Sequence, residues 1–201
     1  MTRNVGRRAV TGDAQAGAAP ERAAPCGPRV VVVTGFMGAG KSTIARELGR
    51  RLSRRVIDLD DLVTQRAGRT PRELIDEDGE AHFRELETEA LRAALGGDGP
   101  AVVALGGGAW ALERNRALAD ARGCLTVWLD APFELCWRRV TEAPGARPLA
   151  RDEQQARRLY DERRATYGLA RLRIEVRDDT APETLSAAIA DALATDGSTH
   201  E

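Results

Sequence analysis

Val30-Val31-Val32-Val33, then Gly35-Phe36-Met37-Gly38-Ala39-Gly40-Lys41-Ser42-Thr43, then Ile44-Ala45-Arg46-Glu47-Leu48: the fold turns on how this stretch is read. The β-branched run reads as a buried strand, the glycine-rich segment as a loop and the rest as the start of a helix. Gly35, Gly40, Lys41 and Ser42 meet the pattern G-x-x-x-x-G-K-[ST] in full, in the strand-loop-helix context that gives it meaning. Such a loop turns backbone N–H groups inward around a β-phosphate, and the following helix adds the positive end of its dipole. Gly38, Ala39, Gly40 and Thr43 complete the cradle, Lys41 is placed to reach the β- and γ-phosphates, and the Ser42 hydroxyl is placed to ligate Mg²⁺. The plainer alternative is a turn that merely joins strand to helix.

Of 30 Lys and Arg residues, Lys41 is the only lysine. A compact ammonium on a flexible stem does what a planar guanidinium does not, so the position of this one lysine supports the phosphate-loop reading.

The 201 residues suit one domain with a core that needs no disulfides, and the formal charge of −1 argues against a nucleic-acid binder working by bulk electrostatics. Cys26, Cys124 and Cys136 form no C-x-x-C pair and no zinc pattern, which fits a reducing compartment. No run reaches the length of a membrane span or resembles a signal peptide, so the expectation is a cytoplasmic protein without membrane or nucleic-acid partners. Residues 1–28 are rich in Ala, Gly, Arg and Pro without apolar periodicity and read as a disordered extension; 29–195 read as a single domain and 196–201 as a flexible tail.

Beyond the loop, a helix is expected over about 41–54 and a strand at Arg55-Val56-Ile57, which delivers Asp58-Leu59-Asp60-Asp61. Alternation along a strand would point Asp58 and Asp60 into one crevice, at the carboxyl end where open α/β sheets bind ligands. The competing reading is a helix N-cap at either aspartate. Thr70-Pro71-Arg72-Glu73 is a capping box, and a helix from about Glu80 buries Phe83, Leu86, Ala90, Leu91, Ala94 and Leu95. On that helix Arg84 and Glu87 sit three apart, a spacing that by itself suggests an exposed ion pair of little worth.

A second apolar strand, Ala101 to Leu105, ends in Gly106-Gly107-Gly108, which suits either close approach of backbone to a ligand or a tight turn. Helix (about 112–120), strand (125–129), helix (132–140, carrying Arg138-Arg139), helix (152–166, carrying Arg163-Arg164), strand (172–176) and helix (182–194) follow. The loop of about 141–151, with Gly, Pro and Arg147, suits a lid over phosphates or a plain surface connection. Five strands alternating with helices predict an α/β fold with a five-stranded parallel sheet covered on both faces.

Taken together, the phosphate loop, Asp58-Leu59-Asp60, Asp78-Gly79-Glu80 with Phe83-Arg84 and Glu87, Leu105 to Ala109, Arg147-Pro148-Leu149, and Arg163 with Tyr167 resemble shikimate kinase, a phosphate-loop kinase of the nucleoside-monophosphate-kinase type. The likeness spans about Arg29 to Ala194. It implies transfer of the γ-phosphoryl of ATP, with Mg²⁺, to the 3-hydroxyl of shikimate, in aromatic amino-acid biosynthesis, by a monomer. It further implies that Asp60 holds the reacting hydroxyl, that Arg84, Arg163 and the Gly106 to Gly108 backbone hold substrate, and that Glu87 orients Arg84. Asp58 would reach Mg²⁺ through water, Arg147 would be the lid arginine, and Arg139 with Pro182 would sandwich adenine.

The chain departs from the family pattern in lacking Pro-Leu before Tyr167, which leaves Arg163 and Arg164 both eligible, and in the bulk of Trp110. Two other readings compete: a sibling kinase of a cyclitol, gluconate or nucleotide, and a non-catalytic nucleotide-binding protein. The second would be expected to lack part of the set Lys41, Asp60, Arg84 and Arg147, and all four are present.

Overall fold

A computed structural model describes residues 30–142 and 152–196 of the chain. The stretch read as an N-terminal extension, the residues after Asp196, and most of the segment read as a lid, Arg147 included, lie outside the described residues.

Five parallel strands, β1 (Val30–Thr34), β2 (Arg55–Asp58), β3 (Ala101–Ala104), β4 (Leu125–Asp130) and β5 (Leu172–Glu175), lie in the order β2-β3-β1-β4-β5. Every residue of β1, β3 and β4 is buried. Since successive side chains point to opposite faces, both faces of the sheet are covered there, and this is why these strands read as largely apolar runs, with Thr34, Thr126 and Asp130 the buried polar exceptions. The chain moves from β1 toward β2 and β3, then crosses to β4 and β5. That reversal leaves a crevice beyond the carboxyl end of β1, where the phosphate loop sits.

The helices are α1 (Lys41–Leu52), α2 (Leu59–Ala67), α3 (Pro71–Asp78), α4 (Glu80–Gly96), α5 (Glu113–Ala121), α6 (Phe133–Glu142), α7 (Glu153–Tyr167) and α8 (Pro182–Asp196). α1 packs on α8 and against β1, β2 and β3, while α4 contacts α2, α3 and α5. The capping box at Thr70 forms in full, with the Thr70 side chain accepting from the Glu73 amide and Glu73 reaching back to the Thr70 amide.

The structure departs from expectation in two places. β2 ends at Asp58, and Asp60 lies in the first turn of α2, so strand alternation does not place the two aspartates. The N-cap reading is the one that holds for Asp58: its Oδ1 accepts the Asp60 amide at 3.1 Å. The signals for α2 were in the chain, with acids in the first turn, Leu59, Leu62 and Val63 at helical spacing and Gly68 in the left-handed conformation at the end. Thr141 and Glu142, expected to begin a loop, continue α6.

Candidate active site

The phosphate loop takes its shape from glycines that no other residue replaces cheaply. Gly38 and Gly40 have φ of 79° and 96°, and a Cβ on Gly38 would run into the Cys136 carbonyl of α6. The Lys41 ammonium donates to the Phe36 carbonyl at 2.9 Å, which bends the side chain over the loop. The Phe36 ring packs edge-on against Tyr160 with centroids 5.2 Å apart, tying the loop to α7.

The same Asp58 that caps α2 accepts the Ser42 hydroxyl on its Oδ2 at 2.5 Å. One carboxylate therefore fixes the first turns of α1 and α2 together. A hydroxyl and a carboxylate side by side at the end of a phosphate loop are the hard oxygen donors a magnesium ion takes alongside nucleotide phosphates, so the residues present fit that ion. Arg139 donates to the Gly38 carbonyl at 3.5 Å, and Arg139, Gly40, Thr43, Thr180 and Pro182 line a cleft of about 360 Å³ beside the loop.

The triple glycine enters from β3. The Leu105 amide donates to the Val33 carbonyl at 3.0 Å, which continues the strand pairing and brings the glycines alongside the phosphate loop: a Cβ on Gly107 would lie 3.6 Å from the Met37 amide nitrogen. None of the three has a positive φ, and it is crowding at Gly106 and Gly108, not at Gly107, that favours glycine. A Cβ on Gly106 would stand 2.7 Å from both Asp60 Oδ1 and Glu87 Oε1, and one on Gly108 would collide with the Arg84 guanidinium. These glycines are thus the floor on which Asp60, Glu87 and Arg84 converge.

Arg84 is forked between Glu87 (Nη1 to Oε2, 2.8 Å) and Glu80 (Nη2 to Oε1, 2.9 Å), and its guanidinium lies 4.9 Å from the Phe83 ring centre. The pair with Glu87 is no surface bridge: the Glu87 side chain is 1% exposed and that of Arg84 16%. Burial pushes the Glu87 carboxyl above the usual carboxylate range; Arg84 pulls it down without cancelling the rise, and Asp60 adds to it. Burial also opposes the Arg84 charge, but Glu87 and Glu80 together outweigh it and raise the guanidinium above its ordinary value. The Glu87 Oε1 atom is buried without a hydrogen-bond partner among the described residues, a polar demand that a ligand at the Gly106 floor would meet.

Arg163 and Arg164 part company. Arg163 donates through Nη1 to the Gly107 carbonyl at 3.1 Å, inside the cluster. Arg164 forks onto the buried carboxylate of Asp130 at 2.9 and 3.0 Å. Asp130 also receives Arg173, and these residues with Arg157 and Glu134 border a second cleft of about 380 Å³, across the ends of β4 and β5. Each arginine of that second cleft is paired with a carboxylate. Sequence reasoning missed Asp130, although an acid at the carboxyl end of a parallel strand is the signal that singled out Asp58. It also missed the hold of Glu80 on Arg84, announced by four-residue spacing.

Together the fold and the cluster define a phosphate-loop kinase of a small molecule, with a nucleotide cleft on one side of the loop and a compact charged pocket on the other. The family model described as shikimate kinase matches residues 37–194. The shikimate kinase of Synechococcus sp. (strain JA-3-3Ab) is 42% identical over 170 residues, covering 83% of this chain and 88% of that one. That of Salinibacter ruber is 44% identical over 154 residues, 71% of this chain and 74% of the relative. The solved structure of a shikimate kinase from Acinetobacter baumannii in complex with shikimate aligns with a TM-score of 0.76 at 31% identity, covering 84% of this chain and 94% of the other. The chain belongs to the shikimate kinase family.

Proposed function

We propose that this chain transfers the γ-phosphoryl group of ATP to the 3-hydroxyl of shikimate. The observation that carries the reading is the convergence of Asp60, Arg84, Glu87 and Arg163 on the Gly106 to Gly108 floor, directly beside the phosphate loop. Shikimate is an anionic polyhydroxylated ring. Two guanidinium groups at one end of the pocket suit its carboxylate, and a carboxylate at the other suits a hydroxyl.

Asp60 accepts the proton of the attacking hydroxyl and, above all, aims that oxygen at the γ-phosphorus; as the new P–O bond forms, the bond to the ADP oxygen breaks and ADP leaves with its electron pair. Lys41 stays with the β- and γ-phosphates and balances the charge that gathers there. Mg²⁺, when bound, supplies further neutralisation of the phosphate oxygens, and Ser42 with Asp58 would hold it. Arg139 and Pro182 hold the adenine in the nucleotide cleft, and Arg147 is the lid arginine on the transferring phosphate. The protein works in the cytoplasm as a monomer; no helix among the described residues is long and apolar enough to cross a membrane.

An ADP-release assay across shikimate, quinate, gluconate and nucleoside monophosphates tests the proposal. ADP release should depend on shikimate and magnesium. Preference for gluconate or a nucleotide would replace shikimate by that substrate, and no stimulation by any of them would remove the catalytic reading.

A further inference from the structure

The Gly107 carbonyl accepts two hydrogen bonds from α7: Arg163 Nη1 at 3.1 Å and the Tyr167 hydroxyl at 2.6 Å. A bond runs the opposite way three residues later, where the Trp110 indole N–H donates to the Thr166 carbonyl at 3.1 Å. The donors Tyr167 and Trp110 are 2% and 1% exposed, and both bonds are partly buried. Burial pushes the Tyr167 hydroxyl up to about 12, which keeps it a donor throughout the working range. Two residues adjacent in α7 are thus cross-linked, in opposite directions, to the two ends of one short stretch of the glycine loop.

The far side of that stretch is braced as well. The single 3₁₀ turn Ala109–Ala111 is held by Asn115, whose amide donates to the Ala109 carbonyl at 2.9 Å, and by Arg116 on the Trp110 carbonyl at 2.7 Å. The Trp128 ring lies against Tyr167 at 6.3 Å between centroids. The loop end is thus bonded to α5 on one side and to α7 on the other, and the bonds at Tyr167 and Trp110 join α7 to a segment held from elsewhere.

We propose that Trp110 and Tyr167 are positioning residues that set the place of Arg163 relative to the glycine floor, and through it the affinity for the anionic substrate. Arg163 lies one turn before Tyr167 on α7, so a helix end pinned at residues 166 and 167 fixes where its guanidinium reaches. Neither pin is among the residues that line the nucleotide cleft. The inference rests on the shikimate reading and deepens the role of the same pocket.

The deciding variant is Tyr167→Phe, which removes one oxygen and leaves the ring; Trp110→Phe removes the indole donor along with some buried volume. Losing one buried bond of this kind should raise the KM for shikimate by about 10-fold in Tyr167→Phe. The KM for ATP should stay near that of the parent protein, and the melting temperature should fall by no more than about 4 °C. The Trp110→Phe change should also raise the shikimate KM, and the double variant should show less than the product of the two effects, because both pins hold one helix end. A shikimate KM in Tyr167→Phe within twofold of the parent overturns the proposal, whether or not the melting temperature falls. So does an equal rise in the KM for ATP. A parent protein that releases no ADP with shikimate would instead strike the proposed function, which keeps the two failures apart.

Discussion

The two halves of the site are built by different means. The phosphate-binding part of the nucleotide half is one continuous segment, to which Arg139 and Pro182 add only the walls of the cleft: backbone conformation at Gly38 and Gly40, the N-terminus of α1, Lys41 and Ser42 all lie within a few residues of one another. The substrate half is gathered from α2, α4, the end of β3 and α7, and its side chains hold one another through ion pairs and carbonyl contacts. A local half tolerates distant change and fails only when its own residues change. An assembled half inherits the position of every element that contributes to it, so changes that touch no ligand should still be felt there.

The largest effect should come from Lys41→Met in the local half. Removing a preorganised charge from the transferring phosphate should lower kcat by about 10³-fold, with little change in melting temperature because no core atom is lost; turnover within tenfold of the parent would deny Lys41 its role. Gly106→Ala is the matching test of the assembled half. Its methyl group would press on Asp60 and Glu87, and a displacement of this size should cost about 10²-fold in kcat while the KM for ATP holds. Loss of ATP affinity instead would show that the two halves are not separate.

Asp58 and Asp60 sit on the border between the halves. Asp60→Asn should lower kcat by about 10²-fold at any magnesium concentration, whereas Asp58→Asn, which disturbs Ser42, should be partly recovered by excess magnesium. A magnesium titration of kcat for both variants decides, and rescue of Asp60→Asn alone would exchange the two roles.

Arg84→Ala should raise the KM for shikimate and also destabilise the fold, because it strands Glu87 in the interior at a cost of about 3 kcal/mol when that carboxyl is charged. The sign of the pH dependence follows from the raised carboxyl. Stability contributed by protonated Glu87 is fully present below its unfolded value of 4.5 and is lost as pH rises through the higher folded value. The Arg84→Ala penalty should therefore grow from acid toward neutral pH in thermal melts. The smallest effect belongs to Glu87→Gln in the intact protein, which should flatten that part of the stability profile; an unchanged profile would mean that Glu87 is not the group responsible.

The sheet was legible because a doubly covered parallel strand is apolar over most of its length: Val30 to Val33 and Ala101 to Leu105 are so throughout, and Leu125 to Leu129 is interrupted only by Thr126, whose hydroxyl accepts the Arg171 amide. The phosphate loop was legible because its chemistry is local: the residues that touch a phosphate are neighbours in the chain. Helix α2 was hidden by its shortness, although its cap and first-turn acids were present.

The substrate half was legible only through likeness to a family, and its geometry belonged to the tertiary structure. Three-residue spacing made Arg84 and Glu87 neighbours, but only the packing of α4 over the glycine floor buried them and turned a weak surface pair into a strongly coupled one. Arg163 and Arg164 are equivalent as sequence. The turn of α7 sends one to the Gly107 carbonyl and the other to Asp130, because consecutive residues on a helix face directions about 100° apart. Local pattern determined which residues carry the chemistry of phosphate binding; the relative placement of separate elements, set by burial and by close contact at Gly106 and Gly108, decided which of the remaining charges meet.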